Sequence, residues 1–196
     1  MSDDAPGYRA PLWAGWIATG FGSGLLRPAP GTWGSLAAWA AWVALVVLIF
    51  VLPPILPLPG AAFDCLLGSL TILAVPVSVA ASGLLLRETG EKDPGYIVSD
   101  EWVGMWLALW PARKHLVDAL AGGGWQKATV WMFASFLLFR LFDIWKPWPL
   151  RRLEHIPGGW GVTLDDVAAG LYAGLLVHCL DTLTGVLIGL PICPPT

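Results

Sequence analysis

Long apolar runs separated by short polar segments dominate the pattern of hydrophobic and polar positions along this chain. No charged residue occurs from Pro28 to Phe63 or from Cys65 to Leu86, and a transmembrane helix needs about 20 apolar residues. The prolines of PPILPLP end the first run because proline cannot continue a helix, and Pro76 can kink the second. The pattern predicts five helical spans, at about 35–56, 62–86, 102–121, 127–142 and 167–190.

The third of these spans has the weakest signal. Only eleven uncharged residues precede Arg113, and Pro111 interrupts them. They cover about 16 Å at helical rise, roughly half of the hydrocarbon core. We still expect the segment to cross, because otherwise the polar segments on either side of it would lie on opposite faces of the membrane.

Composition indicates an all-α, polytopic membrane bundle. Of the 196 residues, 56% are hydrophobic and 13% are charged, about half of the usual quarter, and mean hydropathy is +0.67. The length suits one domain, 1–196, and the acidic N-terminus lacks the basic region of a signal peptide. A net charge of −3 does not indicate a nucleic-acid partner. The three cysteines form no CxxC pair or Cys-x5-Arg phosphatase loop, so we expect free thiols.

Basic residues predict the orientation of the bundle. With the N-terminus in the cytoplasm, eight lysines and arginines lie inside and three lie outside, as the positive-inside rule requires. Three polar segments, 20–35, 87–101 and 139–166, then fall on the cytoplasmic face of the membrane. Unusual polar groups that converge at one end of a helical bundle are typical of a functional site.

The first polar segment, GFGSGLLRPAPGTWGS, is rich in glycine. Glycines allow backbone N–H groups to approach an anion, and a helix N-terminus favours phosphate. An interfacial loop with turn glycines would show the same pattern. The predicted phosphate-binding residues are Arg27, Gly31, Thr32 and Ser35.

The second segment, DPGYIVSDEW, places Asp100 and Glu101 directly before an apolar helix. Helix capping by Ser99 or Asp100 explains one acid well and two less well. Adjacent carboxylates also suit Mg²⁺, which takes one or two carboxylates together with substrate phosphate oxygens.

The third segment, FRLFDIWKPWPLRRLEHIPGGWGVTLDD, combines bases and acids. Arg140, Asp143 and Lys146 share one helical face by their i, i+3 spacing, and Arg and Lys are the usual phosphate binders. Asp165-Asp166 precede the fifth span as Asp100-Glu101 precede the third. Snorkelling bases and another helix cap are the alternative explanation.

Three histidines, and the acid Asp181, are not assigned to the predicted site. His178 and Asp181, at i, i+3 within the fifth span, predict a mutual polar contact inside the bundle. We expect His115 and His155 to be surface residues.

Together the motifs GFGSGLLRPAPGTWGS, IVSDEWVG, FRLFDIWKPWPLRRLE and GGWGVTLDDVAAG resemble the phosphatidylglycerophosphatase A family, in order and over about 18–180. The resemblance implies an all-helical bundle, dependence on Mg²⁺, and removal of the terminal phosphate of phosphatidylglycerophosphate. The triplet Val162-Thr163-Leu164 departs from the apolar triplet expected before the acid pair. The residues carried over to matching positions are Thr32, Asp100, Glu101, Arg140, Asp143, Lys146, Asp165 and Asp166.

We therefore expect a lipid phosphatase whose partners are its lipid substrate and membrane lipids, with no nucleic acid and no obligate protein partner. Asp100, Glu101, Asp165 and Asp166 are the predicted metal ligands, and Arg140, Asp143, Lys146 and Asp166 the predicted catalytic residues. We expect Mg²⁺-assisted attack by water, with an aspartyl-phosphate intermediate as the alternative.

Two other classes of protein agree less well with the sequence than a phosphatase does. A small ion or metal transporter would distribute its acids across the membrane, whereas these acids cluster at helix ends on one face. A CDP-alcohol phosphotransferase would carry an Asp-Gly…Ala-Arg…Gly…Asp…Asp pattern, which this sequence lacks.

Overall fold

A computed structural model describes residues 9–51, 60–91 and 94–189 of the chain. The described residues form α-helices joined by turns and loops, with short 3-10 turns at Ser23–Leu25 and Trp110–Ala112. The α-helices are α1 (Leu12–Ala18), α2 (Pro30–Val51), α3 (Gly60–Thr89), α4 (Ser99–Leu109), α5 (Arg113–Leu120), α6 (Trp125–Trp145), α7 (Leu150–Leu153) and α8 (Gly159–Gly189).

Four helices, α2, α3, α6 and α8, are long and apolar enough to cross a membrane. The most apolar stretch of 18 residues in each helix has a mean hydropathy between 1.4 and 2.3. Helix α3 continues through Pro76 without ending. These helices confirm the prediction of an all-α membrane bundle. The predicted end of the first span, at 52–56, lies outside the described residues.

The third predicted crossing is a broken segment. Helix α4 ends at Leu109, a 3-10 turn with Pro111 at its start follows, and α5 continues from Arg113. Proline removes one backbone donor and clashes with the preceding turn, which explains why one continuous helix does not form. Arg113 nevertheless reaches Asp64 near the start of α3, so the segment runs from the end of α3 to its beginning.

Small residues bring α4 and α8 into close contact. A Cβ added at Gly104 would collide with the Phe139 ring and with the Asp166 carbonyl oxygen, and one at Gly170 would collide with the Gly104 carbonyl oxygen. Helices with such residues at their interface can pack backbone against backbone. This contact fixes where the first turns of α4 lie relative to α8.

The sequence misplaced the start of α8. The prediction began the fifth span at residue 167 with Asp165-Asp166 at its head, but α8 begins at Gly159. A Cβ at Gly159 would collide with the Val79 carbonyl oxygen, so packing against α3 starts the helix earlier than the glycines suggest. Both aspartates are therefore buried inside α8, and they do not cap it.

A short helix that the hydrophobic pattern did not predict, α1, lies at the same end of the bundle as the start of α4. The Val98 N–H donates to the Ala18 carbonyl oxygen over 2.8 Å. Helix α1 leaves Leu12, Trp13 and Trp16 exposed. Exposed tryptophans are typical of the membrane–water interface, so α1 fits a position along that interface.

Candidate active site

Six acidic side chains converge on one cavity at this end of the bundle. The cavity has a volume of about 430 Å³, and we call it the acid cavity. Its acids come from the first turn of α4, the end of α6, the loop before α8 and the interior of α8. They are Asp100, Glu101, Asp143, Glu154, Asp165 and Asp166, and Lys146 and His155 also line the cavity.

Three of these acids could hold a metal ion together. One carboxylate oxygen from each of Asp100, Glu101 and Asp166 lies within 4.8 Å of the other two. Asp100 Oδ1, Glu101 Oε2 and Asp165 Oδ1 are buried and have no hydrogen-bond partner among the described residues. Buried carboxylates without partners are costly unless a cation compensates them. Oxygen donors in this number fit a hard cation such as Mg²⁺.

Arg140 joins the acids to the start of α2. Its guanidinium pairs with Asp143 on the same face of α6, as the spacing predicted, and donates to Ser35 Oγ over 3.3 Å. Ser35 is buried and donates to the Gly31 carbonyl oxygen over 2.8 Å. A Cβ at Gly31 would lie 2.5 Å from Glu101 Oε1. A side chain at residue 31 would therefore displace the Glu101 carboxylate, and glycine lets the first turn of α2 approach it.

Lys146 closes the other side of the acid cavity. It ends α6 in the left-handed conformation, with φ of 46°. Its Nζ donates to Asp165 Oδ2 over 2.7 Å and to Glu154 Oε1 over 2.8 Å. Burial lowers the pKa of Lys146, but the hydrogen bonds to Asp165 and Glu154 outweigh burial and raise it above its usual value. Lys146 is therefore a fixed positive charge at neutral pH.

A buried group of hydroxyls, which the sequence analysis missed, includes the residue that precedes Asp100. Ser99 Oγ is 3.0 Å from both Ser78 Oγ and Ser82 Oγ, and Ser78 Oγ is 3.2 Å from Thr163 Oγ1. We call these four residues the hydroxyl cluster. They join α3, α4 and α8, and Ser99 directly precedes Asp100. Their only signal in the sequence was a hydroxyl inside an apolar run, which is common and indicates no partner.

The first polar segment only partly reaches the cavity. Gly31 and Ser35 contact Glu101 and Arg140, as described above. Thr32 is half-buried in the first turn of α2 and makes no side-chain hydrogen bond among the described residues, and Arg27 is exposed in the preceding loop. Gly20 and Gly24 pack closely against Trp102 and Tyr96. These two glycines serve packing, and they do not line the acid cavity.

Capping does not explain the acids that begin α4. The N-cap is Val98, and no side chain caps the helix. The Ser99 hydroxyl bonds instead within the hydroxyl cluster, and Asp100 Oδ1 has no described partner.

Two expectations for the histidines were wrong. Asp181 does not contact His178, which is exposed; it pairs with Lys114 and with His115, whose Nε2 lies 3.0 Å from Asp181 Oδ1. His115 is largely buried and stacks on Trp131. Helix α5, which follows the break at Pro111, packs against α6, and its Lys114 and His115 side chains reach Asp181 of α8. His155 is exposed, as expected, at the edge of the acid cavity.

These features define a class of protein: a helical membrane protein with a buried carboxylate site, able to hold a divalent cation, beside bases that can bind phosphate. Residues 16–181 match the phosphatidylglycerophosphatase A family. The chain belongs to this family, which confirms the resemblance seen in the sequence.

Curated relatives cover most of the chain. Phosphatidylglycerophosphatase A of Escherichia coli (strain K12) is 36% identical over 82% of this chain and 79% of its own length. Phosphatidylglycerophosphatase A of Haemophilus influenzae is 38% identical over 84% of this chain and 86% of its own. A Bacteroides thetaiotaomicron protein, provisionally named phosphatidylinositol-3-phosphatase, is 38% identical over 82% of this chain and 89% of its own. No solved structure matches the chain.

Proposed function

We propose that this protein is a Mg²⁺-dependent phosphatase that converts phosphatidylglycerophosphate to phosphatidylglycerol at the cytoplasmic face of the bacterial inner membrane. One observation carries the proposal. In a chain of this family, Asp100, Glu101 and Asp166 gather within 4.8 Å at one end of the bundle. That is the end where the headgroup of a membrane lipid would lie.

The metal would be held by Asp100, Glu101 and Asp166, with Asp165 contributing through its unpaired Oδ1. The chemistry that Mg²⁺ supplies when bound is charge neutralisation on phosphate oxygens and a more acidic water.

Arg140 and Lys146 would stabilise the negative charge on the phosphoryl group as it transfers. Both are already oriented by acids, Arg140 by Asp143 and Lys146 by Asp165 and Glu154, so little reorganisation is needed when phosphate binds. The first turn of α2 lies close to Glu101. The partial positive charge at the N-terminus of this helix would also favour a bound phosphate.

Asp143 would take the proton from the attacking water. Arg140 bonds its Oδ2, which leaves Oδ1 for the water. The burial of the neighbouring carboxylates restricts access to bulk water, so the attacking water is one that the site itself positions.

A lipid substrate agrees with the surroundings of the acid cavity. Ile144, Trp145, Trp148 and Trp160 are exposed around this end of the bundle, and tryptophan is enriched at headgroup level. Two relatives are named for phosphatidylglycerophosphate and one for a phosphatidylinositol phosphate. Both lipids carry a phosphodiester to the diacylglycerol and a phosphomonoester further out. The two phosphatidylglycerophosphatase names favour the first lipid here.

Phosphate release from phosphatidylglycerophosphate tests this function. The purified protein in detergent should release inorganic phosphate and form phosphatidylglycerol with Mg²⁺, and it should stop when Mg²⁺ is chelated. Adding Mg²⁺ back should restore the rate. Failure to release phosphate at saturating Mg²⁺ would contradict the proposed reaction, and release that survives chelation would contradict the metal.

A further inference from the structure

A second, positively charged pocket adjoins the acid cavity. We propose that this pocket binds the phosphodiester of the lipid headgroup, so that the enzyme selects lipids with both a phosphomonoester and a phosphodiester; this rests on the function proposed above. The pocket has a volume of about 360 Å³. We call it the basic pocket, and the side chains used below are Trp145, Lys146, Trp148, Arg151 and Arg152.

The connection between α6 and α8 builds the basic pocket. Lys146 ends α6, two prolines follow, and the short α7 carries Arg151 and Arg152. Leu150 is fully buried and anchors α7 to the bundle, and its N–H donates to the Pro147 carbonyl oxygen over 2.8 Å. The two arginines therefore project from a turn that is fixed at both ends.

The two arginines have no carboxylate partners in the described parts of the chain. Among the described residues, the ion pairs at this end of the bundle involve Arg140 and Lys146, and neither Arg151 nor Arg152 takes part in one. Arg151 Nη2 lies 3.5 Å from the Trp145 carbonyl oxygen, and the Arg152 guanidinium lies 5.9 Å from the centre of the Trp148 ring. Both contacts orient a guanidinium and leave donors free for an anion.

Lys146 forms the wall between the two pockets, because it lines both of them. The acid cavity presents six carboxylates, so an anion enters it only with metal ions, whereas the basic pocket has no acidic residue in its lining. A headgroup whose monoester sits in the acid cavity passes Lys146 before its diester reaches the arginines. The diester then lies near Ile144 and Trp145, which are exposed and offer apolar surface to the acyl chains attached to it.

General attraction of cytoplasmic bases to anionic lipids is the competing explanation. It would depend on net charge at the surface and would act equally on every anionic substrate. A built diester site would instead favour phosphatidylglycerophosphate over phosphatidic acid, which has the monoester alone. The two explanations therefore differ in substrate preference.

The experiment compares wild type with the double variant Arg151→Ala/Arg152→Ala on both lipids, in mixed micelles of equal anionic content. We expect kcat/KM for phosphatidylglycerophosphate to fall at least tenfold, mainly through KM, while that for phosphatidic acid changes less than twofold. Arg151→Lys/Arg152→Lys keeps the charge without the planar fork and should recover only part of the loss. Arg87→Ala removes one exposed charge from the same end of the bundle and should leave both rates unchanged. Equal losses on both lipids, or the same loss in Arg87→Ala, would overturn the diester site.

A binding measurement separates this inference from the proposed reaction. Short-chain phosphatidylglycerol retains the diester and lacks the monoester, so its binding, measured by calorimetry without Mg²⁺, needs no catalysis. Wild type should bind it at least fivefold more tightly than the double variant, and inorganic phosphate should not compete. Equal affinity in the two proteins would overturn the diester site even if the enzyme is active. Weaker binding in the variant would uphold it even if no phosphate were released.

Discussion

At the scale of single residues, three carboxylates of the site have no basic partner among the described residues, although Arg140 and Lys146 pair with the other acids. Asp100, Glu101 and Asp166 are held together by helix packing, not by mutual attraction, and buried oxygens on Asp100 and Glu101 have no described partner. Like charges in a partly buried space disfavour the folded protein. A bound divalent cation would remove this cost.

This leads to a prediction for Asp100→Asn and Asp166→Asn. Each should lower turnover at least about a hundredfold, the scale of losing one electrostatic contact to the reacting group. In wild type, Mg²⁺ should raise the Tm, because a ligand that binds only the folded state stabilises it; in the variants that rise should largely disappear. Thermal unfolding with and without Mg²⁺ measures the change in Tm, and phosphate release measures turnover.

Asp118→Asn is the matched control, since Asp118 is exposed on α5 and remote from the acid cavity. It should keep both the turnover and the Mg²⁺-dependent rise in Tm. If the Asp100 and Asp166 variants behaved like this control, the carboxylates would not form a metal site.

Lys146 and Arg152 are bases six positions apart, and we expect different kinetic effects when each is removed. Lys146 contacts Asp165 inside the acid cavity, whereas Arg152 lies outside it. Lys146→Ala should lower kcat by about a hundredfold, or roughly 3 kcal/mol, and Arg152→Ala should act mainly on KM. Steady-state kinetics on phosphatidylglycerophosphate distinguish the two effects. Equally small effects on kcat would favour the snorkelling explanation for both residues.

Acids and bases of the site were visible in the sequence because charge is rare in this chain. Asp100, Glu101, Asp143 and Lys146 stand out against apolar neighbours, and the structure brings them to one cavity. The hydroxyl cluster and Glu154 were missed because serine, threonine and an acid among bases are ordinary at such positions. Their role is recognised only from the residues that they contact in the folded protein, and a single sequence does not show which residues are in contact.

At the scale of helices, the contact between α4 and α8 decides how the two acid pairs meet. It depends on Gly104 and Gly170, where any side chain would collide with the facing backbone or ring. Overpacking of this kind typically costs about 1–3 kcal/mol. A side chain at either glycine would push α4 and α8 apart, and Asp166 would then move relative to Asp100.

Alanine substitutions on α8 test this contact. Gly170→Ala and Gly185→Ala gain the same helix propensity, about 1 kcal/mol, but Gly185 has open space around its Cα and Gly170 does not. Gly170→Ala should therefore lower Tm and activity, while Gly185→Ala leaves both unchanged or raises Tm. Thermal unfolding in detergent together with phosphate release provides the measurement. Similar Tm values in the two variants would show that the contact is looser than described.

Helix existence was easier to predict than helix boundaries. The apolar runs located α2, α3, α6 and α8 because crossing a bilayer demands a long hydrophobic stretch. The start of α8 at Gly159 depends on its contact with Val79 of α3, and the partners of α5, which follows the break at Pro111, lie on α6 and α8. Both depend on contacts between helices, which the local pattern of hydrophobic and polar residues does not predict.

At the scale of the whole molecule, the structure has two polar ends. The acid cavity lies at one end, and the pairs Arg113–Asp64 and Lys114–Asp181 lie at the other. The segment of α4 and α5 runs between the two ends, so Glu101 at the start of α4 and Asp143 near the end of α6 line the same cavity. Which end faces the cytoplasm follows only from the distribution of bases, so it stays a prediction.

Cysteine labelling tests that orientation, with Gly122–Gly124 predicted to be periplasmic and Gly95 and Gly158 cytoplasmic. Gly124→Cys and Gly95→Cys are suitable sites, because a Cβ at Gly124 meets only the end of the Gln126 side chain and one at Gly95 meets nothing. In a cysteine-free background, a membrane-impermeant thiol reagent should label only Gly124→Cys in intact spheroplasts, and both after lysis. Labelling of Gly95→Cys alone in intact cells would invert the orientation.

The depth of Asp165 and Asp166 within α8 has a consequence for how the enzyme meets its substrate. Asp165 lies six positions after Gly159, so its carboxylate lies about 9 Å along the helix from its start. A phosphate that reaches the two aspartates moves toward the bilayer, and its acyl chains need not leave the leaflet. The enzyme would then avoid the cost of extracting a lipid, and one molecule could process successive lipids by lateral diffusion. Its rate would follow the surface density of substrate in the leaflet, not the bulk concentration.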